Sequence, residues 1–126
     1  MPGFVANRLQ AAIFRECVSL VNGGVVTIGE LDDIVTTSLG VRWATSGPFL
    51  SFHLGGGAGG LPHFVEHLGP PMEQLWQTLG QPTFDQATKA LIAAQADTAY
   101  GVRSIEDLAE ARDAKEVAVI TALADA

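Results

Sequence analysis

The stretch SFHLGGGAGGLPHFVEH, Ser51 to His67, decides how the whole chain is read. Gly55, Gly57 and Gly60 have the spacing G-x-G-x-x-G, in which glycines let a backbone turn close under a pyrophosphate. Just beyond, His63, Glu66 and His67 spell H-x-x-E-H, which on a helix sets two imidazoles one turn apart, as zinc requires. The nucleotide reading demands a strand before the glycines, a helix after them and an acid about 20 positions on. PFLSFHL can pass for the strand and LPHFVEHL for the helix, but Glu73 is the nearest acid downstream of them and falls inside another helical segment. No second strand of a βαβ unit follows. The zinc reading demands a third ligand. His53 reaches the pair only through a turn that nothing predicts, and no downstream acid stands out. The stretch reads more plainly as glycines in a turn, followed by two surface histidines on a short helix.

The flanking sequence is helical in period. Val5, Leu9, Ala12, Ile13, Cys17, Leu20 and Val21 recur near 3.6 residues and predict a helix over Phe4 to Val21, stopped by Asn22-Gly23-Gly24. Thr27 with Glu30 forms a capping box that opens a second helix, with an apolar face from Ile28 to Leu39 and a stop at Gly40. Gly47-Pro48 predicts a turn and a third helix from Pro48 to Leu54. Leu61 to Leu68 is a fourth, broken by Gly69-Pro70-Pro71, which start a fifth to about Leu79. Thr83 to Tyr100 is a sixth. Ser104, with Asp107 three places on, caps a last helix to about Leu123. No strand shows convincing alternation. The expectation is one all-α domain over 1–126, a bundle of six or seven helices with short breaks.

Composition narrows the function. The formal net charge is −7, with 7 basic and 14 acidic residues, which argues against a nucleic-acid partner. No apolar run approaches the roughly 20 residues a membrane helix needs, so no membrane partner is expected. MPGFVANRLQ lacks the form of a signal peptide, and Cys17 is the sole cysteine. A reducing, cytoplasmic setting is expected, with Cys17 as a core thiol. No catalytic residue and no metal ligand is assigned.

Arg42 beside Trp43, ahead of a Gly-Pro turn, is the one cluster with recognition chemistry. A fork-shaped cation next to aromatic area suits a small organic acid or a cationic head group. An arginine snorkelling along a packed tryptophan is the plainer account of the same pair.

PGFVANRL at 2–9 and GVRWATSGPFLSFHLGGGAGGLPHFVEHLGP at 40–70 together resemble the C-terminal domain of 3-hydroxyacyl-CoA dehydrogenases. The Arg-Trp-Ala then Gly-Pro, the His-Leu-x-Gly-Gly and the closing His-Phe are the specific pieces. GVRSIEDLAEARD at 101–113 places the resemblance in the carnitine-dehydrogenase and lambda-crystallin branch, and the likeness runs from about Pro2 to Leu123. It implies an all-helical fold like the C-terminal domain of 6-phosphogluconate dehydrogenase. That domain lines the substrate side of a cleft and forms a homodimer. It implies that Asn7, in Gly-Phe-x-x-Asn-Arg, hydrogen-bonds substrate near the reacting carbon, as a neutral amide can. By the same match Arg42 is the best candidate to take a substrate carboxylate. From their chemistry and position, Trp43 and Phe49 are expected to wall the pocket and to face a trimethylammonium if the substrate is carnitine-like.

The family's catalytic His–Glu pair and its NAD loop belong to a Rossmann domain that these 126 residues do not contain. The implied function is the substrate-binding and dimerisation half of an NAD-dependent 3-hydroxyacid or 3-hydroxyacyl-CoA dehydrogenase, acting with a Rossmann partner. On this reading it binds no cofactor alone and transfers no hydride alone. The alternative is a free-standing relative of that domain. Such a relative would bind small acids or acyl groups, serve as a scaffold, or carry chemistry of its own in the old cleft.

Overall fold

The computed structural model describes residues 2–126. Seven α-helices follow one another: α1 (Pro2–Asn22), α2 (Ile28–Thr37), α3 (Leu39–Thr45), α4 (Gly47–Gly55), α5 (Gly60–Thr78), α6 (Gln86–Tyr100) and α7 (Ile105–Ala124). A single 3-10 turn, Gly57–Gly59, joins α4 to α5. No strand occurs among the described residues, and the all-α expectation holds. No helix is long and apolar enough to cross a membrane among those residues.

Helix ends form where local chemistry requires them. After α1, Gly24 at φ +72° takes the left-handed position, with its N–H on Val21 O at 3.0 Å and that of Val25 on Leu20 O at 3.0 Å. That is the Schellman pattern, and glycine adopts it without a Cβ penalty. Thr27 and Glu30 complete their box: Thr27 N donates to Glu30 Oε2 at 2.9 Å and Glu30 N to Thr27 Oγ1 at 3.2 Å. The Thr27 amide above all, and with it the Thr27 hydroxyl, holds the Glu30 carboxyl below its ordinary range. Ser104 caps α7 by accepting from Asp107 N at 3.0 Å. α6 begins later than Thr83, because Asp85 is the residue whose carboxylate accepts from Thr88 N, at 2.8 Å.

Two expected breaks fall elsewhere. α2 ends at Ser38, and Gly40 lies inside the first turn of α3 rather than stopping α2. A Cβ on Gly40 would stand 2.9 Å from Val35 O, so this glycine permits close approach between the two helices. Nor do Pro70 and Pro71 divide α5, which runs unbroken for 19 residues. Each proline forfeits one backbone donor, but the ring of Pro70 meets no side chain on the residue before it, because that residue is Gly69.

The helices pack in a sequence of neighbours rather than around one centre. α1 packs on α6, α6 on α2, α2 on α3, α3 on α4, and α4 on α5. Phe52 of α4 meets Phe64 of α5 with ring centroids 4.7 Å apart. Side-chain bonds tie the other end: Ile28 N donates to Gln95 Oε1 at 2.8 Å, joining α2 to α6. Gly80 N donates to Glu16 Oε2 at 2.8 Å, joining the segment after α5 to α1. Thr88, buried, places its hydroxyl 3.3 Å from Asn22 Oδ1.

The glycine run has a structural role. Gly60, at φ +66°, starts α5, and a Cβ there would lie 2.5 Å from the His53 ring. That ring is held in place by Leu61 N, which donates to His53 Nδ1 at 3.0 Å. Gly60→Ala is therefore expected to lose roughly 1–3 kcal/mol, from the strained φ and the displaced ring together. Gly3→Ala, with open space around it, should leave stability unchanged or slightly raised. Denaturant midpoints of the two variants check this.

Candidate functional site

Arg42 and Trp43 lie on α3 and Phe49 on α4, two helices that pack on each other across Ser46. Trp43 is half-buried; Arg42 is exposed, and Phe49 is 76% exposed. Neighbouring residues on a helix diverge by about 100°, which is why the indole turns inward while the guanidinium does not. Arg42 occupies the last turn of α3, where the carbonyl end of the helix favours a cation. The only ion pair among the described residues joins Arg112 to Asp113, at 2.9 Å, so Arg42 is not committed to an internal carboxylate. Asn7 sits on the exposed N-terminal part of α1, where it borders an open concavity with Gln10, Ala11 and Phe14. That concavity does not include Arg42, Trp43 or Phe49. The expected site residues thus fall into two groups, Arg42, Trp43 and Phe49 on α3–α4 and Asn7 on α1, and no principal cavity joins the groups.

The two sharp motifs meet different fates. The glycines Gly55, Gly57 and Gly60 follow a helix, not a strand, and the space beside Gly60 is filled by the His53 ring. This segment does not fit a dinucleotide. His63 and His67 do share a face of α5, with ring centroids 4.0 Å apart. Among the described residues no third histidine, cysteine or carboxylate joins them.

One feature escaped the sequence reading. An open cavity of about 280 Å³ lies between α1, α2 and α6, lined by Phe14, Cys17, Val21, Ile28, Leu31 and Ile92, among others. Its lining is almost wholly apolar apart from Asp32 and Tyr100, whose hydroxyl donates to the Asp32 carboxylate. Loss of solvent, reinforced by that hydrogen bond and by the Asp32 charge, pushes the Tyr100 phenol up to about 12. Burial, and then the Asp32 charge, raises the Cys17 thiol above its ordinary value. A raised thiol carries little thiolate, so Cys17 is a poor nucleophile, in keeping with the core reading. The pair Asp32–Tyr100 spans 68 positions, and no local pattern reports so distant a contact.

Residues 3–93 match the family model for the 3-hydroxyacyl-CoA dehydrogenase C-terminal domain. The chain is 41% identical over 122 residues to an L-carnitine dehydrogenase of Streptomyces griseus, covering 97% of this chain and 36% of that protein. It is 38% identical over 123 residues to one of Oceanobacillus iheyensis (98% and 40%). To one of a Pseudomonas species it is 40% identical over 126 residues (98% and 38%). The chain therefore spans about two-fifths or less of the length of these curated relatives.

Tyr100 is the only tyrosine, so phenolate absorbance reports it alone. Its titration is expected near pH 12, and Asp32→Asn should bring the midpoint back toward 10. Because the folded value lies above the unfolded one, the contribution to stability is complete below pH 10 and disappears between 10 and 12. A wild-type midpoint at 10 would remove the Asp32–Tyr100 contact.

Proposed function

We propose a function from one premise: this chain belongs to the 3-hydroxyacyl-CoA dehydrogenase family, as that family's C-terminal domain. It serves as the substrate-facing and dimer-forming half of an NAD-dependent dehydrogenase of small 3-hydroxy acids, carnitine-like in the first instance. One observation carries this reading. Val18 and Val21 are the only buried apolar side chains among the described residues, and neither is fully so, while the chain exposes 9603 Å². A folded monomer of its 13.2 kDa would expose about 6,400 Å². The excess surface is rich in large apolar groups, Phe4, Leu9, Trp76 and Ile120 among them, and calls for further protein to cover it.

A second copy and a Rossmann unit, on the same polypeptide or on a partner, supply that cover. NAD belongs to the Rossmann unit, since nothing in the glycine segment here fits it. In the assembled cleft Asn7 donates to the substrate oxygen near the reacting carbon. Arg42 grips a carboxylate with two parallel N–H bonds, and Trp43 and Phe49 offer aromatic faces to a quaternary ammonium. The relatives' name supports the last role, and the reducing cytoplasm fits the lone thiol. The free-standing alternative predicts ligand or protein binding with no dependence on a Rossmann unit.

Two measurements separate these readings. The 126-residue chain alone is expected to bind no NAD and to run at about twice 13.2 kDa in solution. In the enzyme carrying its Rossmann unit, Arg42→Ala should raise KM for a carboxylate substrate about 10-fold or more, the loss of a charged hydrogen bond. Asn7→Ala should lower kcat/KM. An unchanged rate in both variants, or tight NAD binding by this chain alone, would discard the assignment.

A further inference from the structure

The turn from α4 into α5 closes around His53, and the fold uses only one side of that imidazole. Leu61 N donates to His53 Nδ1 at 3.0 Å. A ring nitrogen that accepts carries no proton, so in the neutral imidazole the hydrogen sits on Nε2. The bond at one nitrogen thus makes the other a donor. No second hydrogen bond engages this ring among the described residues, and the residue is exposed. The ring is also held from the side. Gly60 is buried against it, and a Cβ there would lie 2.5 Å from His53 Cε1. Phe52, the residue before, meets Phe64 and ties α4 to α5. A donor fixed in this way before a ligand arrives loses little freedom on binding.

The position of His53 gives this donor a target. Phe49 and His53 stand four residues apart on α4, which sets their Cβ atoms about 5–6 Å from each other on one helix face. α4 packs on α3, which carries Arg42 and Trp43. A carboxylate held by Arg42 has more acceptor capacity than Arg42 can fill. Its two oxygens offer about four lone-pair directions, and a guanidinium fork occupies two of them. The sequence holds no other lysine or arginine between Arg15 and Lys89, so no second cation on α3, α4 or α5 can take the rest. A neutral donor on the same pair of helices can.

We propose that His53 is a further substrate-contacting residue of the α3–α4 site, its Nε2–H donating to the carboxylate that Arg42 grips. The inference rests on the dehydrogenase reading above and adds to it a neutral residue that selects for the acid.

Two variants divide the ring into its halves. Asparagine presents Oδ1 where Nδ1 accepts, keeping the Leu61 bond, but has nothing at the Nε2 position. Glutamine reaches the Nε2 position with an N–H and leaves Leu61 N without its acceptor. In the enzyme carrying its Rossmann unit, with carnitine as the probe substrate, His53→Asn should raise KM about 10-fold while the denaturant midpoint stays in place. His53→Gln should lower the midpoint and hold KM within about threefold of its original value. β-Methylcholine keeps the hydroxyl and trimethylammonium of carnitine but lacks the carboxylate. It should inhibit the unsubstituted enzyme and His53→Asn equally, and unequal inhibition overturns the carboxylate contact. An unchanged KM in His53→Asn, or a KM that follows the midpoint in both variants, also overturns it. The wider reading then stands provided that Arg42→Ala still raises KM; if Arg42→Ala is silent too, both fall. Should His53→Asn fail to fold, unsubstituted enzyme with 15N-labelled histidine decides. Saturating carnitine should move the Nε2 signal that His53→Gln lacks, and an unmoved signal refutes the contact.

Discussion

The apolar face of α1 runs the length of a 21-residue helix, and the chain covers only its last turn and a half. Everything else in the molecule follows from that shortage. Val18 and Val21 are buried where α6 packs on α1 and where Ile28 and Leu31 of α2 line the same cavity; Phe4, Val5, Leu9 and Ile13 stay exposed among the described residues. Burial of a Leu or Phe is worth about 1.5–3 kcal/mol. Leaving so many of them in water would forfeit the largest favourable contribution to folding. A sequence with 48% apolar residues buries, among the described residues, two valines, which leaves most of its large apolar side chains in contact with solvent.

What could be read from the sequence was what short-range chemistry determines. Thr27 with Glu30, Ser104 with Asp107, and Gly24 after α1 each act within a few residues, and each forms as its residue types require. The errors arose where a local signal had a second use. Gly40 carries the look of a helix stop and serves instead as a point of contact between backbones. Pro70 and Pro71 carry the look of a break, but Gly69 removes the side chain that Pro70 would have struck. The cavity at Asp32 and Tyr100 was invisible for a different reason: its walls come from three helices far apart in sequence, and only packing brings them together. Of the candidate site, Arg42, Trp43 and Phe49 fall on α3 and α4, which are consecutive in sequence and pack on each other. Their relation to Asn7 depends on how α1 stands against other protein, which no period or cap can report.

The stretch from Ser51 to His67 illustrates how a motif is emptied by its surroundings. Glycines at G-x-G-x-x-G spacing are useful to a nucleotide because they leave room beside the backbone. Here that room is occupied by the chain's own His53, fixed by the amide of Leu61. The spacing is the same and the cause is different: the turn from α4 into α5 must pass close to an imidazole. His63 and His67 likewise stack as neighbours on one helix face, which is what i, i+4 spacing gives to any two rings.

The proposed division of labour explains why one helix carries both ends of the function. α1 bears Asn7 near its start and Cys17, Val18 and Val21 near its finish, about 15–21 Å away along the axis at about 1.5 Å per residue. On that proposal the first end faces a cleft completed by another unit, while the second packs on α6 and opens on the cavity between α1, α2 and α6. A rigid helix of this length would then hold Asn7 at a set distance from the end that packs on α6, so the packing of α1 would position Asn7 as well as stabilise the fold. The proposed dehydrogenase half, with so small an interior of its own, would have its recognition residues brought to working geometry only when it is covered, which would bind activity to assembly without any moving part.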